Sequence, residues 1–141
     1  MFNIRLDAAW LNSRFVVAAG QALLGSLFVV SGLFKLAKFS YVAAMLANFG
    51  LPASEGMTVL IILVEVGAGL ALALGWHARL AAAVLVPFVV IATLMFHAFW
   101  ASDAAAYGNQ LNHFLKNVAL LGALLMVAST GSVPLARSHG Q

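Results

Sequence analysis

Four apolar stretches dominate this 141-residue chain, and each is close to the roughly 20 residues that a helix needs to cross a bilayer. Hydrophobic residues make up 64% of the sequence and charged residues only 8%, whereas soluble domains carry about a quarter charged residues. So few charged side chains cannot cover a soluble fold of this length without leaving large apolar patches. The sequence therefore predicts an integral membrane protein that contacts the lipid bilayer, with residues 1–141 forming a single domain.

All four stretches are expected to be helical, because open strands would leave unsatisfied backbone groups in hydrocarbon and no barrel-like alternation is visible. We predict an all-α, four-helix transmembrane bundle with spans at residues 15–36, 57–76, 80–100 and 111–131. Between the first two spans, apolar residues recur at helical spacing at Phe39, Val42, Leu46 and Phe49. This pattern predicts a short amphipathic helix that lies in the membrane interface.

Basic residues predict the orientation of the bundle. Four arginines fall on one side of a four-span topology and two lysines on the other, namely Arg5, Arg14, Arg79 and Arg137 against Lys35 and Lys38. Because cytoplasmic loops retain Lys and Arg, both termini are predicted to be cytoplasmic. This distribution accounts for the net charge of +3, so no nucleic-acid partner is expected. Cysteine is absent, which excludes disulfides, thiolate metal ligands and a thiol nucleophile in this chain.

Glu65 is an ionisable residue in the middle of an otherwise apolar span, where a charged side chain is energetically unfavourable. A charge near the middle of a bilayer costs about 2.5 to 3.5 kcal/mol, so its side chain should face protein or water. Lys116 in the fourth span is the first expected partner because of its depth, and Lys35 at the end of the first span is the second. Such an ion pair either fixes the helix register or belongs to a functional site.

Several polar residues are expected in the same outer half of the membrane. The predicted ligand-binding cluster has six members: Lys35, Glu65, His97, His113, Lys116 and Asn117. The last three share one helix face by their i, i+3, i+4 spacing. Glu65 and His97 are candidate groups for a proton relay. No metal site is expected, and haem binding by His97 and His113 is disfavoured because hydrogen-bonded histidines are far more common than axial ligands.

Five short motifs follow one another along the chain: Ser31-Gly32-x-x-Lys35, Gly50-Leu51-Pro52, Glu65-x-x-x-Gly69, Leu74-Gly75 followed by Arg79, and His113-Phe114-Leu115-Lys116-Asn117. Their order and spacing, over about residues 15–131, resemble the DoxX family of small bacterial membrane proteins. The resemblance implies a four-helix bundle in the bacterial inner membrane. Five residues stand at motif positions of the family, and the resemblance implies no agreed catalytic role for any of them: Lys35, Glu65, Arg79, Lys116 and Asn117.

The resemblance implies a redox setting, because some DoxX proteins are associated with quinone-linked sulfur oxidation or with membrane redox and oxidative-stress complexes. The first hypothesis is an accessory subunit of such a process that holds a quinone-like ligand at the cluster. Any enzymatic activity would then be that of a quinone-linked oxidoreductase component acting with a membrane or soluble redox partner. The second is a non-catalytic membrane anchor or assembly partner with a structural ion pair. The third is a small-solute or proton-coupled transporter, which four helices would form more readily as a homo-oligomer.

Overall fold

The computed structural model describes residues 14–130, so Arg5, Arg137 and residue 131 of the predicted fourth span lie outside the described residues. Within this range the chain forms five α-helices and one 3₁₀ turn: α1 (Arg14–Ala37), α2 (Phe39–Asn48), α3 (Ser54–Leu74), α4 (Ala78–Phe96), the turn Phe99–Ala101, and α5 (Ala104–Thr130). No strand occurs in the described part of the chain. The predicted all-α class is confirmed.

Four of the helices are long and apolar enough to cross a membrane, namely α1, α3, α4 and α5. The shorter α2 is the predicted helix between the first two spans. The largest difference from prediction is the start of α5, which begins at Ala104 instead of residue 111. Asp103 explains this start, because its Oδ1 accepts a hydrogen bond of 2.8 Å from the backbone N–H of Ala106 and so caps the first turn.

Close backbone contact between α1 and α3 is the tightest packing in the bundle. A Cβ atom added at Gly25 would lie 2.5 Å from both the backbone N of Ala73 and the backbone O of Gly69. One added at Gly32 would lie 2.7 Å from Cγ2 of Val66. In lipid, helices gain no hydrophobic free energy by associating, so close packing and hydrogen bonds must hold them together. The glycines therefore place α1 directly against α3.

The other two spanning helices pack successively onto this pair, α4 against α3 and α5 against α4. α1 packs mainly against α3, α3 also contacts α4, and α5 packs mainly against α4. A buried apolar core joins them and includes Phe28 of α1, Leu72 of α3, Leu85 of α4 and Leu124 of α5. We call the end of the bundle near α2 the α2 end, and the opposite end, where α3 turns into α4 beside Arg79, the Arg79 end.

Candidate functional site

Ser31, Lys35 and Glu65 form a hydrogen-bonded cluster between α1 and α3, which we call the triad. The Nζ of Lys35 lies 2.8 Å from each carboxylate oxygen of Glu65 and donates a 2.6 Å hydrogen bond to the Oγ of Ser31. The hydroxyl of Ser31 donates a 3.1 Å hydrogen bond to Oε1 of Glu65. Ser31 and Lys35 stand one turn apart on α1, so both point to the same face. Gly32 between them lets α3 approach, since an added Cβ would lie 3.1 Å from Cβ of Glu65.

Within the triad, the two charges are paired and the ammonium group has all its hydrogen-bond acceptors. An ammonium group has three N–H donors, and those of Lys35 match the three acceptors that Ser31 and Glu65 present. Only 5% of the Glu65 side chain is exposed, against 26% for Lys35. The carboxylate is therefore buried and paired, while the lysine reaches the protein surface. Glu65 lies midway along α3, about 15 Å from either end at the helical rise, whereas Lys35 stands in the last turn of α1.

Lys35 is the partner of Glu65, and the prediction that Lys116 comes first is wrong. The sequence placed Lys116 nearer to Glu65 in depth than Lys35, but depth does not identify neighbouring helices. The Glu65 face of α3 packs against α1, whereas α5 packs against α4. Lys116 is exposed on α5, and its side chain has no hydrogen bond or ion pair among residues 14–130.

A second polar group lies between α4 and α5 toward the α2 end. The side-chain amide of Asn117 donates a 2.9 Å hydrogen bond to Oγ1 of Thr93, which in turn donates to the backbone O of Val89. Nδ1 of His97 lies 2.9 Å from Oε1 of Gln110. The rings of His97 and His113 stack, with centroids 4.8 Å apart and planes 11° from parallel. These contacts join the C-terminal end of α4 and His97 to the first half of α5.

Five of the six predicted site residues are thus divided between two groups, and Lys116 belongs to neither. Lys35 and Glu65 belong to the triad, while His97, His113 and Asn117 belong to the α4–α5 group. Across the described range, no hydrogen bond, ion pair or ring contact joins one group to the other. Our sequence reasoning missed two members of the second group, Thr93 and Gln110. The signal was present, because Thr93 precedes His97 by four residues and Gln110 precedes His113 by three, so each pair shares a helix face.

Neither group presents a clear metal or haem site. Among the described residues, no group of three or more His, Asp or Glu side chains could hold a metal ion. The stacked rings of His97 and His113 fill the space that a haem would need between two axial ligands. Nearby, the ring of Phe99 packs edge-on against Trp100, Tyr107 and Phe114, so these aromatic side chains contact one another.

Replacing Asn117 by Leu is expected to lower the free energy of unfolding by about 0.6 kcal/mol, and by no more than about 1.7, the range for interhelical hydrogen bonds in membranes. Thr93 keeps its bond to Val89, so no buried hydroxyl is left unpaired. Asn109→Leu is the matched control, because Asn109 is exposed on α5 and its side chain has no hydrogen bond in the described part of the chain. Equal losses for the two variants, measured by reversible unfolding in micelles, would show that the Asn117 bond contributes nothing.

Comparison with protein families matches residues 16–98 to the DoxX family, a segment that includes the whole triad. The chain belongs to the DoxX family. The DoxX match ends before α5, so His113, Lys116 and Asn117 lie outside it. The family assignment and the four spans together establish an integral membrane protein.

Two curated relatives are similar to this chain over most of its length. The chain is 30% identical over 115 residues to inner membrane protein YqjF of Escherichia coli (strain K12), and the match covers 82% of this chain and 83% of the relative. It is 27% identical over 105 residues to inner membrane protein YphA of the same organism, covering 74% of this chain and 75% of the relative. No solved structure matches the chain.

Proposed function

We propose that this DoxX protein is an accessory subunit of a membrane redox or envelope-stress process, supplying a rigid helix bundle to a partner that carries out the reaction. The main support for this proposal is that the hydrogen bonds of Lys35 are all made within the triad. Every N–H of Lys35 is matched to an acceptor within the triad, so the lysine offers no free donor to a substrate. A lysine bound in this way holds α1 against α3. The redox setting rests on the family resemblance.

Energetics support a structural role for the triad. Breaking a buried ion pair by removing one partner is strongly destabilising, because the other charge is left uncompensated. A quinone carbonyl could bind Lys35 only after displacing one of its present acceptors. The displaced acceptor would be either Ser31 or a carboxylate oxygen that is almost fully buried. The resting arrangement therefore opposes ligand exchange at the ammonium group.

A second candidate function is the binding of a quinol-like ligand at the exposed side of the triad. Lys35 is 26% exposed, so a ligand could approach the triad from the lysine side, although Glu65 itself is only 5% exposed. Oε2 of Glu65 accepts a hydrogen bond from Lys35 alone, which leaves it acceptor capacity for a further donor. A hydroquinone hydroxyl can donate to that oxygen, whereas the carbonyl of an oxidised quinone cannot. This candidate therefore favours the reduced ligand.

The accessory role is tested by deleting the gene in its bacterial host and restoring it on a plasmid. Quinone-linked respiration of isolated membranes and survival under oxidant are measured in the deleted and restored strains. The proposal expects both to fall on deletion and to recover with the wild-type chain. Unchanged respiration and survival in the deleted strain would contradict the redox and envelope-stress setting.

The two candidates are separated by the double variant Lys35→Met with Glu65→Leu, which replaces the ion pair by apolar side chains of similar length. A structural triad predicts that this variant inserts, folds and restores respiration as the wild type does. A ligand site predicts a folded protein that fails to restore it. Binding of decylubiquinol to wild-type protein in nanodiscs, lost in the double variant, would likewise favour the second candidate.

A further inference from the structure

A cavity between α2 and the start of α3 lies apart from the triad and from the α4–α5 group. It has a volume of about 290 Å³, and its apolar wall consists of Phe39, Ala43, Ala44 and Ala47 of α2. This volume is just below the range of roughly 300–1,000 Å³ for sites that enclose a whole small molecule. The cavity therefore suits one small group of a larger ligand.

The polar side chains that line this cavity have no partner in the chain. They are the hydroxyl groups of Ser40 and Ser54 and the carboxylate of Glu55, and none of them makes a hydrogen bond or ion pair among residues 14–130. Serine in a helix ordinarily donates to a carbonyl about one turn earlier. Every other serine and threonine in that range does donate a hydrogen bond from its hydroxyl group. The two hydroxyl groups without an acceptor thus line the same cavity, beside an unpaired carboxylate.

These three groups match a primary ammonium group. Such a group has three N–H donors, and the cavity offers three acceptors, the carboxylate of Glu55 and the two hydroxyl oxygens. Glu55 lies in the first turn of α3, where the partial positive charge of the helix start favours the ionised carboxylate. Its full negative charge exceeds the roughly half charge of the helix start, so the cavity attracts a cation. One carboxylate and two hydroxyl groups fall short of the about six to eight oxygen ligands that Ca²⁺ takes.

Lys38 adds a positive charge beside the cavity. It directly precedes the lining residue Phe39 at the start of α2, and it is exposed. Its side chain has no hydrogen bond or ion pair in the described part of the chain, whereas Lys35, one turn earlier, is bound to Glu65. A ligand that carries an anionic group close to its ammonium group can therefore use both charges.

The position of the cavity points to a lipid as the source of such a group. α2 joins the end of one span to the start of the next and is too short, at 10 residues, to cross the bilayer. It therefore lies where the spans leave the hydrocarbon. Tyr41 on α2 is 71% exposed, as is typical of tyrosine at the level of the lipid headgroups. The alanine wall offers an apolar surface to the carbon atoms next to a headgroup.

We propose that this cavity binds the headgroup of a zwitterionic phospholipid that ends in a primary ammonium group, namely phosphatidylethanolamine. The ammonium group donates to Glu55, Ser40 and Ser54, the phosphate lies toward Lys38, and the glycerol carbons contact the alanines of α2. The proposal goes beyond the redox role and does not depend on it, because the cavity shares no residue with the triad. In micelles that lack this lipid, the carboxylate of Glu55 is simply exposed to water.

Lipid titration of the full chain in detergent, followed by native mass spectrometry, tests the headgroup. Phosphatidylethanolamine, its N,N-dimethyl derivative and phosphatidylcholine, all with the same acyl chains, offer three, one and no N–H donors. We expect Kd to rise along this series by at least about tenfold, equivalent to 1.4 kcal/mol. Soluble glycerophosphoethanolamine, which lacks the acyl chains, is expected to bind at least about tenfold more weakly than the first lipid. Equal Kd values for the three lipids, or for the lipid and the soluble compound, would overturn the proposal.

Matched variants locate the site. Glu55→Gln is expected to abolish the preference for phosphatidylethanolamine over phosphatidylcholine. Asp103→Asn makes the same change at an exposed carboxylate outside the cavity and should leave the preference intact, since asparagine also caps a helix. Ala44→Leu fills the cavity from an exposed position and should weaken binding at least about tenfold, whereas Ala105→Leu on α5 should not. A preference that survives Glu55→Gln, or binding unchanged by Ala44→Leu, would contradict the proposal.

Discussion

Replacing Glu65 by Leu lowers the free energy of unfolding by about 3–5 kcal/mol, because Lys35 then stays against α3 without its counter-ion. Lys35 is 26% exposed and can keep part of its hydration, so the lower part of that range is expected. The hydroxyl of Ser31 also loses its acceptor. The measurement is reversible unfolding of the purified chain in mixed micelles or bicelles.

Glu55→Leu is the matched control for this result. Glu55 lies in the first turn of the same helix but is exposed, and it has no ion pair in the described part of the chain. Substitutions at such a site change stability by about 0.5 kcal/mol or less. If the loss for Glu65→Leu were no larger than for Glu55→Leu, the ion pair would have no part in holding the bundle together.

Gly25→Ala is expected to give the second large effect, a loss of about 1–3 kcal/mol from overpacking at the α1–α3 contact. The added methyl group would lie 2.5 Å from backbone atoms of Ala73 and Gly69, and backbone cannot move aside as a flexible side chain can. The two helices must therefore separate, which also strains the triad one to three turns away. Thermal and denaturant unfolding in micelles measure the loss.

The control for Gly25→Ala is the same substitution at Gly67. Its added Cβ would meet nothing within 4 Å, so the change should stabilise α3 by up to about 1 kcal/mol through helix propensity alone. The two alanine substitutions are thus expected to have opposite signs. Gains at both positions would mean that α1 and α3 are not in backbone contact at Gly25.

The number of spans was predictable because membrane helices must be apolar over a minimum length. The short helix α2 was also predictable, from the spacing of Phe39, Val42 and Leu46. The early start of α5 was not, because its first turns are polar and look like a loop by hydropathy. Asp103 caps the first turn of α5. Aspartate is common in loops as well as at helix starts, so its position in the sequence did not by itself predict where the helix begins.

The candidate site was predictable only in part. Glu65 was found because a buried carboxylate conflicts with its apolar surroundings, and this conflict is visible in sequence. The choice between Lys35 and Lys116 could not be made from sequence, because depth along the helices favoured Lys116 and gives no information on which helices are neighbours. The partner of Glu65 depends on which helix packs against its face of α3. That packing is set by close backbone contacts between residues distant in sequence, such as Gly25 of α1 with Gly69 and Ala73 of α3. The same limit explains why one predicted cluster is two separate groups in the structure.

The central claim is that the intramembrane charges of the triad act as a structural pair, and a double-mutant cycle on Lys35 and Glu65 tests it most directly. The free energy of unfolding in bicelles is measured for the wild type, Lys35→Met, Glu65→Leu and the double variant. The account predicts that the double variant lies within about 1 kcal/mol of the wild type and above both single variants, because apolar replacement of both partners leaves no unpaired charge. A double variant whose loss equals the sum of the two single losses would contradict it.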